Sequence, residues 1–465
     1  MDSFHWVIWP VLLYSLGIAA AIDALWQSRT AQGTAAWVIA LLLMPLVSLP
    51  FYLLFGSRRF SGYRKARRQG DNKLSAQERQ IRNSLSSYIS EPNDKTLALQ
   101  RLFRAPMLEG NETQLLINGK DTFNTILNTA QTARHTLCVQ FYTFRDDVLG
   151  QRFSDVLCEK ASEGVKVYLL YDEIGSGGLD KAFLKRLIDA GVNVSRFNPL
   201  KLRNRTNVNF RNHRKLVTID GQISFVGGHN VGIEYLGLDP EFGVWRDTHM
   251  SISGPATLAF QLSFSEDWHW ATGKAPELDW STPQLAGSKR VMCINPGPAD
   301  YYDSGSLFFT HMISSAKKRC WLVSPYFVPD QTVYAALQLA GLRGVDVRVI
   351  LPQKSDNWMV AQATRSYVAS LAKAQVQFYT YTPGFLHQKV MLIDDEWASV
   401  GSANLDNRSL RINFEIAALV NDKAFARDIE TMMLEDLSHC ESTHVDERWW
   451  KQLLARVLRL IAPVL

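Results

Sequence analysis

His213-Arg214-Lys215-Leu216-Val217-Thr218-Ile219-Asp220 and His387-Gln388-Lys389-Val390-Met391-Leu392-Ile393-Asp394 are one phrase written twice, H-x-K-x-x-x-x-D. Each copy runs on into a glycine-led tail that ends in asparagine, Gly227-Gly228-His229-Asn230 in the first and Gly401-Ser402-Ala403-Asn404 in the second. The interval from His to Asn is the same in both. Chance would supply roughly 0.02 copies of the bare phrase in a chain of this composition, so two copies with matched tails mean duplication. The expectation is one active site built from two halves.

A strand turns residues i and i+2 to one face, so His213 and Lys215 should point together, as should His387 and Lys389. Leu216 to Ile219 is β-rich, and Asp220-Gly221 is a hairpin signal ahead of Gln222 to Val226. Asp220 then falls at the far end of a strand, roughly 23 Å from His213 at about 3.3 Å per residue, and a turn role suits it better than substrate contact. What converges is two imidazoles and two ammonium groups. Two histidines can divide nucleophile and general acid between them, while two lysines neutralise a phosphoryl group in its transition state. That set suits phosphodiester chemistry with neither metal nor cofactor.

The two phrases resemble the HKD motifs of the phospholipase D superfamily, and their surroundings are similar to those of bacterial cardiolipin synthases. The stretches that carry the likeness are Val139 to Phe144, Gly164 to Asp172 and Trp245-Arg246-Asp247-Thr248 in the first half. In the second they are Ser324 to Pro329 and Asn413-Phe414-Glu415-Ile416. The resemblance implies a motif set of His213, Lys215, Asp220, His387, Lys389 and Asp394. It implies His213 as a nucleophile forming a phosphohistidine and His387 as the acid for the departing alkoxide, although sequence symmetry allows the reverse. It also implies a carboxylate downstream of each His that orients the ring, Asp247 and Glu415, as the triad carboxylate does in hydrolases. Asn230 and Asn404 would add neutral donors to the phosphoryl oxygens. The remaining histidines, His229 among them because Ala403 replaces it in the second copy, are read as ordinary structural residues.

Composition agrees. The 465 residues carry 20% charged and 46% apolar side chains and a net charge of +5. Five cysteines without a CxxC pair imply neither a disulfide framework nor a zinc site. Ser3 to Ile22 and Ala35 to Phe55 hold no Asp, Glu, Lys or Arg, and each is long enough to cross the roughly 30 Å hydrocarbon core as a helix. Trp6, Trp9, Trp26 and Trp37 fall near the expected interfaces. Asp2 in place of a basic leader, and a second apolar run close behind, argue against a cleaved signal. Arg29 alone lies between the runs, whereas Arg58, Arg59, Arg64, Lys65, Arg67 and Arg68 follow the second. The positive-inside rule then sets both the N-terminus and the catalytic part in the cytoplasm, with the basic cluster drawn to anionic headgroups of the cell (inner) membrane.

Alternating strand and helix patterns imply an α/β sandwich in each half, the two halves being related by a pseudo-two-fold axis. Gly164-Val165-Lys166-Val167 against Gly344-Val345-Asp346-Val347 is an independent trace of the duplication. The expected organisation is a transmembrane helical hairpin over 1–57, a basic juxtamembrane segment and linker over 58–108, a first half over 109–285, a second over 286–445 and a C-terminal amphipathic helix over 446–465. Trp449, Trp450, Leu453, Leu454, Val457 and Ile461 share one face of that helix, with Arg448, Gln452, Arg456 and Arg459 opposite. Such a helix fits either an interfacial anchor or packing on the core. Lys201, Arg203, Arg205, Arg211, Arg214 and Lys215 crowd the first motif, as a lipid-binding patch or an innocent surface loop.

Phosphatidyl transfer between two phosphatidylglycerols, releasing glycerol, is the reading that the resemblance and the apolar runs favour. Hydrolysis at the same site, as a phospholipase or a tethered nuclease, differs only in whether water is admitted. A non-catalytic scaffold sits poorly with two intact motifs. Membrane lipid is the expected partner and nucleic acid is not. The D-x-x-D-G-x-x-A-R signature of metal-dependent CDP-alcohol enzymes is absent from the sequence.

Overall fold

The computed structural model describes residues 2–27, 31–56, 63, 81, 83–198, 209–443 and 448–460. Helix α1 (Asp2–Gln27) contains a stretch, Ile8–Gln27, long and apolar enough to cross a membrane. The second apolar run does not form one such helix. It breaks at Met44 into α2 (Ala31–Leu43) and α3 (Pro45–Phe55), with Pro45 starting the new helix. At 1.5 Å per residue these span about 20 and 17 Å, each well short of the bilayer core.

The two short helices fold back on each other. Ser48 Oγ donates to Ala40 O (3.0 Å) and Met44 O (2.8 Å), and the Trp37 and Tyr52 rings meet edge to face at 5.3 Å. Tyr52 OH donates to Asp23 Oδ2 (2.8 Å), which returns the end of α3 to the level at which α1 ends. Gly17 permits the turn, since a Cβ there would sit 2.6 Å from Leu41 O. Of the expected spanning hairpin, the described residues thus show one helix long enough to cross, with α2 and α3 packed against it as a broken pair. The cause is Pro45, which cannot donate its N–H to Leu41 and so ends α2.

After α4 (Asp94–Phe103) comes the first half: β1 (Leu108–Ile117), α5 (Asn118–Ala130), β2 (Thr136–Phe141), α6 (Val148–Ser162), β3 (Lys166–Asp172), α7 (Lys181–Asp189), β4 (Asn193–Phe197), β5 (Leu216–Ile219), β6 (Ile223–Gly227), β7 (Trp245–Arg246), β8 (Thr248–Ser253) and α8 (Thr257–Thr272). The second repeats the plan: β9 (Lys289–Ile294), α9 (Ser304–Ser315), β10 (Arg319–Val323), β11 (Phe327–Val328), α10 (Gln331–Leu342), β12 (Asp346–Pro352), α11 (Trp358–Ala372), β13 (Gln377–Tyr381), β14 (Phe385–Leu386), β15 (Val390–Ile393), β16 (Trp397–Gly401), β17 (Leu405–Asp406), α12 (Asn407–Arg411), β18 (Ala417–Asn421) and α13 (Lys423–Ser438). Edge strand β19 (Cys440–Ser442) and α14 (Trp449–Leu460) follow.

Strand order is β19-β13-β12-β10-β15-β16-β18-β9-β1-β8-β6-β5-β2-β3-β4, which reads as a mirror about the β9–β1 junction, with β19 added at one edge. β1 joins the halves by pairing with β9 near Leu108 and Asn111 and with β8 from Glu112 onward, bending at Gly110 (φ +85°). β16 lies against β6 and β8, so the two sheets face each other. Between them sits a core of Leu216, Val226, Met250 and Ile252 from one sheet and Val390, Val400, Ala418 and Val420 from the other, closed by α8 and α13 through Phe264 and Met433. Separate cores lie beneath the outer helices, around Phe123, Phe153 and Leu187 in the first half and Met312, Leu337 and Leu371 in the second. Helix α14 docks on α11. Its contacts are Ala455, Leu458 and Arg459, whose guanidinium lies 4.3 Å over the Tyr367 ring and 5.0 Å over Tyr334. Ala455, Leu458 and Arg459 thus meet the protein, while Trp449, Trp450, Leu453 and Val457 are exposed.

Candidate active site

His213 and Lys215 lie in the extended segment just before β5, and His387 and Lys389 in the matching segment before β15. Each segment pairs with the other half of the molecule. Asn212 bridges to Phe414, His213 N donates to Phe414 O (2.9 Å), and Phe414 N donates to Arg211 O (2.9 Å). β14 pairs in parallel with β7, and His387 N donates to Arg246 O (2.8 Å). In both cases the residue next along the partner strand is a carboxylate, Glu415 after Phe414 and Asp247 after Arg246.

The histidine–carboxylate pairs are therefore crossed. His213 Nδ1 lies 3.0 and 2.9 Å from the Glu415 oxygens, and His387 Nδ1 lies 2.7 Å from Asp247 Oδ2. Each half supplies the carboxylate that orients the other half's imidazole. Glu415 also accepts from Ser402 Oγ (2.6 Å) and Asn413 Nδ2 (3.1 Å), and Asp247 Oδ1 accepts from Thr248 N (2.8 Å). His213 Nδ1 is committed to Glu415, and His387 Nδ1 is shared between Asp247 Oδ2 and Lys389 Nζ (2.8 Å), so each ring is held at Nδ1 and keeps Nε2 for chemistry.

Lys215 Nζ donates to His213 O (2.7 Å) and lies 5.6 Å over the Tyr142 ring; Lys389 Nζ donates to His387 O. Burial pushes the His213 imidazole down to about 4 against the pull of Glu415. Burial, then Lys389, Lys215 and His213, push His387 well below its ordinary value. Burial also drives Lys215 far down and Lys389 to about 8, opposed by the two carboxylates. Glu415 stays below the usual carboxylate range because His213, Lys215 and Ser402 outweigh its burial. The crevice is thus short of negative charge. An entering phosphate relieves the cost of two buried ammonium groups.

The residue between His and Lys in each motif points the other way and staples the halves. Arg214 donates to Glu415 O (3.0 Å) and Asn295 O (3.2 Å) and pairs with Asp267 (2.9 Å). Gln388 accepts from Thr248 Oγ1 (2.9 Å) and donates to Asp436 Oδ2 (2.8 Å), the carboxylate that also pairs with Arg246. Arg211 is spent on Asp172 (3.1 Å). Two of the six crowded basic residues are thus structural, and Lys201, Arg203 and Arg205 lie outside the described residues.

Asp220 and Asp394 need correcting as catalytic candidates. Asp220 accepts from the backbone N–H groups of Arg134, His135 and Thr136 (2.7–2.8 Å) at the far end of β5, and Asp394 holds those of Lys317 and Lys318 in the same way. They anchor strands. Asn230 is also committed, its Oδ1 accepting from Thr143 N (3.1 Å) and its Nδ2 donating to Tyr235 OH (2.7 Å). Asn404 keeps a buried Oδ1 with no protein partner among the described residues. His229 and His249 pack against each other behind the site (Nδ1···Nδ1 3.2 Å), both neutral by burial.

Sequence reasoning missed the aromatic walls. Tyr142 sits edge-on to His213 at 5.1 Å, and His387 is enclosed by Trp245 (5.1 Å), Tyr235 (6.0 Å) and Phe385 (6.0 Å). Trp245 and Phe385 face each other on a single rung of the β7–β14 ladder, a contact that the linear motif does not announce.

The chain matches the family model described as cardiolipin synthase, PLD-like domain, over residues 126–268 and 309–437, and one described as phospholipase D-nuclease N-terminal over residues 16–57. It is 44% identical to cardiolipin synthase A of Pseudomonas putida strain F1 across 98% of this chain and 97% of that one. Against cardiolipin synthase A of Pseudomonas aeruginosa strain LESB58 the figures are 45%, 97% and 94%. Among solved structures, phosphatidylserine synthase of Haemophilus influenzae Rd KW20 superposes with a TM-score of 0.59 at 14% identity, covering 80% of this chain and 98% of that one. That likeness concerns the fold.

Proposed function

We propose, from the premise that this chain belongs to the cardiolipin synthase family of phospholipase D-like proteins, that it is a phosphatidyltransferase joining two phosphatidylglycerols into cardiolipin and glycerol. The observation that carries the reading is the crossed pair, two neutral imidazoles each oriented by the opposite half's carboxylate, with a buried lysine beside each.

His213 Nε2 attacks the phosphorus of the first lipid. The P–N bond forms as the P–O bond to glycerol breaks, and His387 Nε2–H protonates the departing oxygen. Lys215 and Lys389 hold the non-bridging oxygens as charge gathers on them. Entry of the anionic phosphate offsets the lysine field that keeps His387 deprotonated, so proton uptake by His387 accompanies binding. Glu415, fixed by Ser402 and Asn413, steadies His213 as the phosphohistidine develops. The second lipid's primary hydroxyl then gives its proton to His387, its oxygen bonds to phosphorus, and the P–N bond breaks. Assignment of the nucleophile to His213 is supported by Glu415 carrying more side-chain donors than Asp247. The aromatic enclosure of His387 favours a lipid alcohol over water at the second step.

The protein is membrane-associated. For its topology we take α1 as the crossing, with α2 and α3 entering from the side on which α1 ends and returning to it. The outward face of α14, with Trp449, Trp450, Leu453 and Val457, rests on the same surface as the catalytic halves, which work on the cytoplasmic leaflet.

The test uses purified protein in vesicles of phosphatidylglycerol, with lipids resolved by mass spectrometry. Cardiolipin and glycerol should appear in equal amounts without CTP or a CDP-lipid, and synthesis should persist in EDTA. Phosphatidic acid as the main product would transfer the assignment to hydrolysis.

A further inference from the structure

The duplicated halves carry matching strands but unequal cavities. Gln140 of β2 pairs with Leu216 of β5 as Val323 of β10 pairs with Val390 of β15, so Tyr142 after β2 corresponds to Pro325 after β10. Likewise Asp172 of β3 pairs with Phe197 as Pro352 of β12 pairs with Tyr381. In the first half those positions are filled: Tyr142 packs on His213, and Asp172 binds Arg211 and the N–H of Asn212. In the second half the matching residues are two prolines, and a cavity of about 400 Å³ opens beside them. Helix α11 walls it with Val360, Thr364, Arg365 and Val368, and Glu441 and Ser442 of β19 line the other side.

Arg365 is exposed and makes no ion pair with any described residue. Trp358 and Met359, at the start of the same helix, are 59% and 41% exposed. Arg365 is the one cation among the described lining residues, in a cavity that also holds the Glu441 carboxylate and apolar walls from Val360 and Val368, and its exposed guanidinium suits an anionic lipid headgroup.

We propose that this cavity holds the phosphoglycerol headgroup of the acceptor lipid, with Arg365 on its phosphodiester. The inference rests on the cardiolipin-forming reading. The two buried lysines serve the phosphate being transferred. The acceptor brings a second phosphate, one glycerol away, and a second anion near the first demands its own cation. Its hydroxyl must also reach His387, which lies in the same half as the cavity. In the step it serves, the acceptor's O–P bond forms, the P–N bond to His213 breaks with its electron pair returning to the imidazole, and the hydroxyl proton goes to His387. Glycerol, a neutral acceptor, needs no such cation.

Two assays on the full chain in detergent–lipid micelles separate the sites: formation of cardiolipin, and exchange of labelled glycerol into phosphatidylglycerol, which uses the donor site alone. Arg365→Gln should raise KM for phosphatidylglycerol in cardiolipin formation about tenfold, leave kcat nearly unchanged, and keep glycerol exchange within about twofold of the parent. Arg365→Lys should recover most of the loss. Equal loss in both assays, or no loss in either, overturns the proposal. Should the parent protein exchange glycerol and make phosphatidic acid but no cardiolipin, the functional reading itself falls, and this inference with it.

Discussion

His213 and His387 are the same side chain in unequal surroundings, and the difference sets the pH dependence. His213 must be neutral to attack, and burial pushes it down to about 4. Lys389 must be charged to hold the phosphoryl oxygens, and burial brings it down to about 8. Activity should therefore fall as pH drops through about 4, where His213 gains a proton, and fall again as pH rises through about 8, where Lys389 loses one. A profile of kcat/KM for the free enzyme checks both limbs. Lys389→Arg keeps that side chain charged and should remove its share of the upper limb, while the part due to Lys215, which burial also holds well below its ordinary value, remains. The histidines and lysines were legible because duplication wrote them twice at one spacing. Asp247 and Glu415 were found, but not that each serves the other half's histidine, since order along a chain says nothing of which strand pairs across a dyad. Tyr142 and Trp245 stood inside the stretches that carry the family likeness, yet neither they nor Tyr235 could be read as walls of the site, for the opposite reason. Duplication preserved no counterpart of them, so nothing repeated.

Among elements, the hairpins that close the two motifs show how a motif residue can be fixed without touching substrate. Asp220 and Gly221 both adopt positive φ (52° and 64°), the turn that suits the right-handed twist of β5 and β6. The Asp220 carboxylate then ties that turn to the start of β2 through three backbone N–H groups. Asp220→Ala should cost about 2–3 kcal/mol of stability, by loss of charged hydrogen bonds and strain at positive φ, measured by denaturant unfolding. Specific activity of the folded fraction should stay within about threefold. Asp220→Asn, which keeps an acceptor and tolerates the turn, should cost less than half as much. A large kcat loss in the stable Asn variant would return Asp220 to the catalytic set. The strand and helix alternation of both halves was readable because amphipathic periods survive in each element. The second apolar run was less legible because hydropathy measures length and not direction. Proline is tolerated inside spanning helices, so Pro45 announces a break without saying whether the chain kinks or folds back.

For the whole molecule, the proposed single crossing and the two-span hairpin differ in which side of the membrane each end occupies. A spanning hairpin would set Arg29 outside and the N-terminus inside. With α1 as the single crossing, and α3 ending beside Asp23 where α1 ends, the proposal assigns the chain between α1 and α2, which carries Arg29, and the basic run from Arg58 to Arg68 to one side. The other flank, residues 1–7, has no Lys or Arg. The positive-inside rule is satisfied better by this arrangement, because every basic residue near the membrane falls on the catalytic side. Single cysteines placed in a variant lacking the five native ones, probed on intact cells with a membrane-impermeant thiol reagent, separate the two topologies. A cysteine at Ser3 should react from outside, whereas those at Gln32 and Gln69 should react only after the membrane is opened. A hairpin of two spans predicts the reverse for Ser3 and Gln32 and the same for Gln69. Reaction at Gln32 in intact cells, with Ser3 protected, would mean that α2 and α3 straighten into one crossing helix in the bilayer.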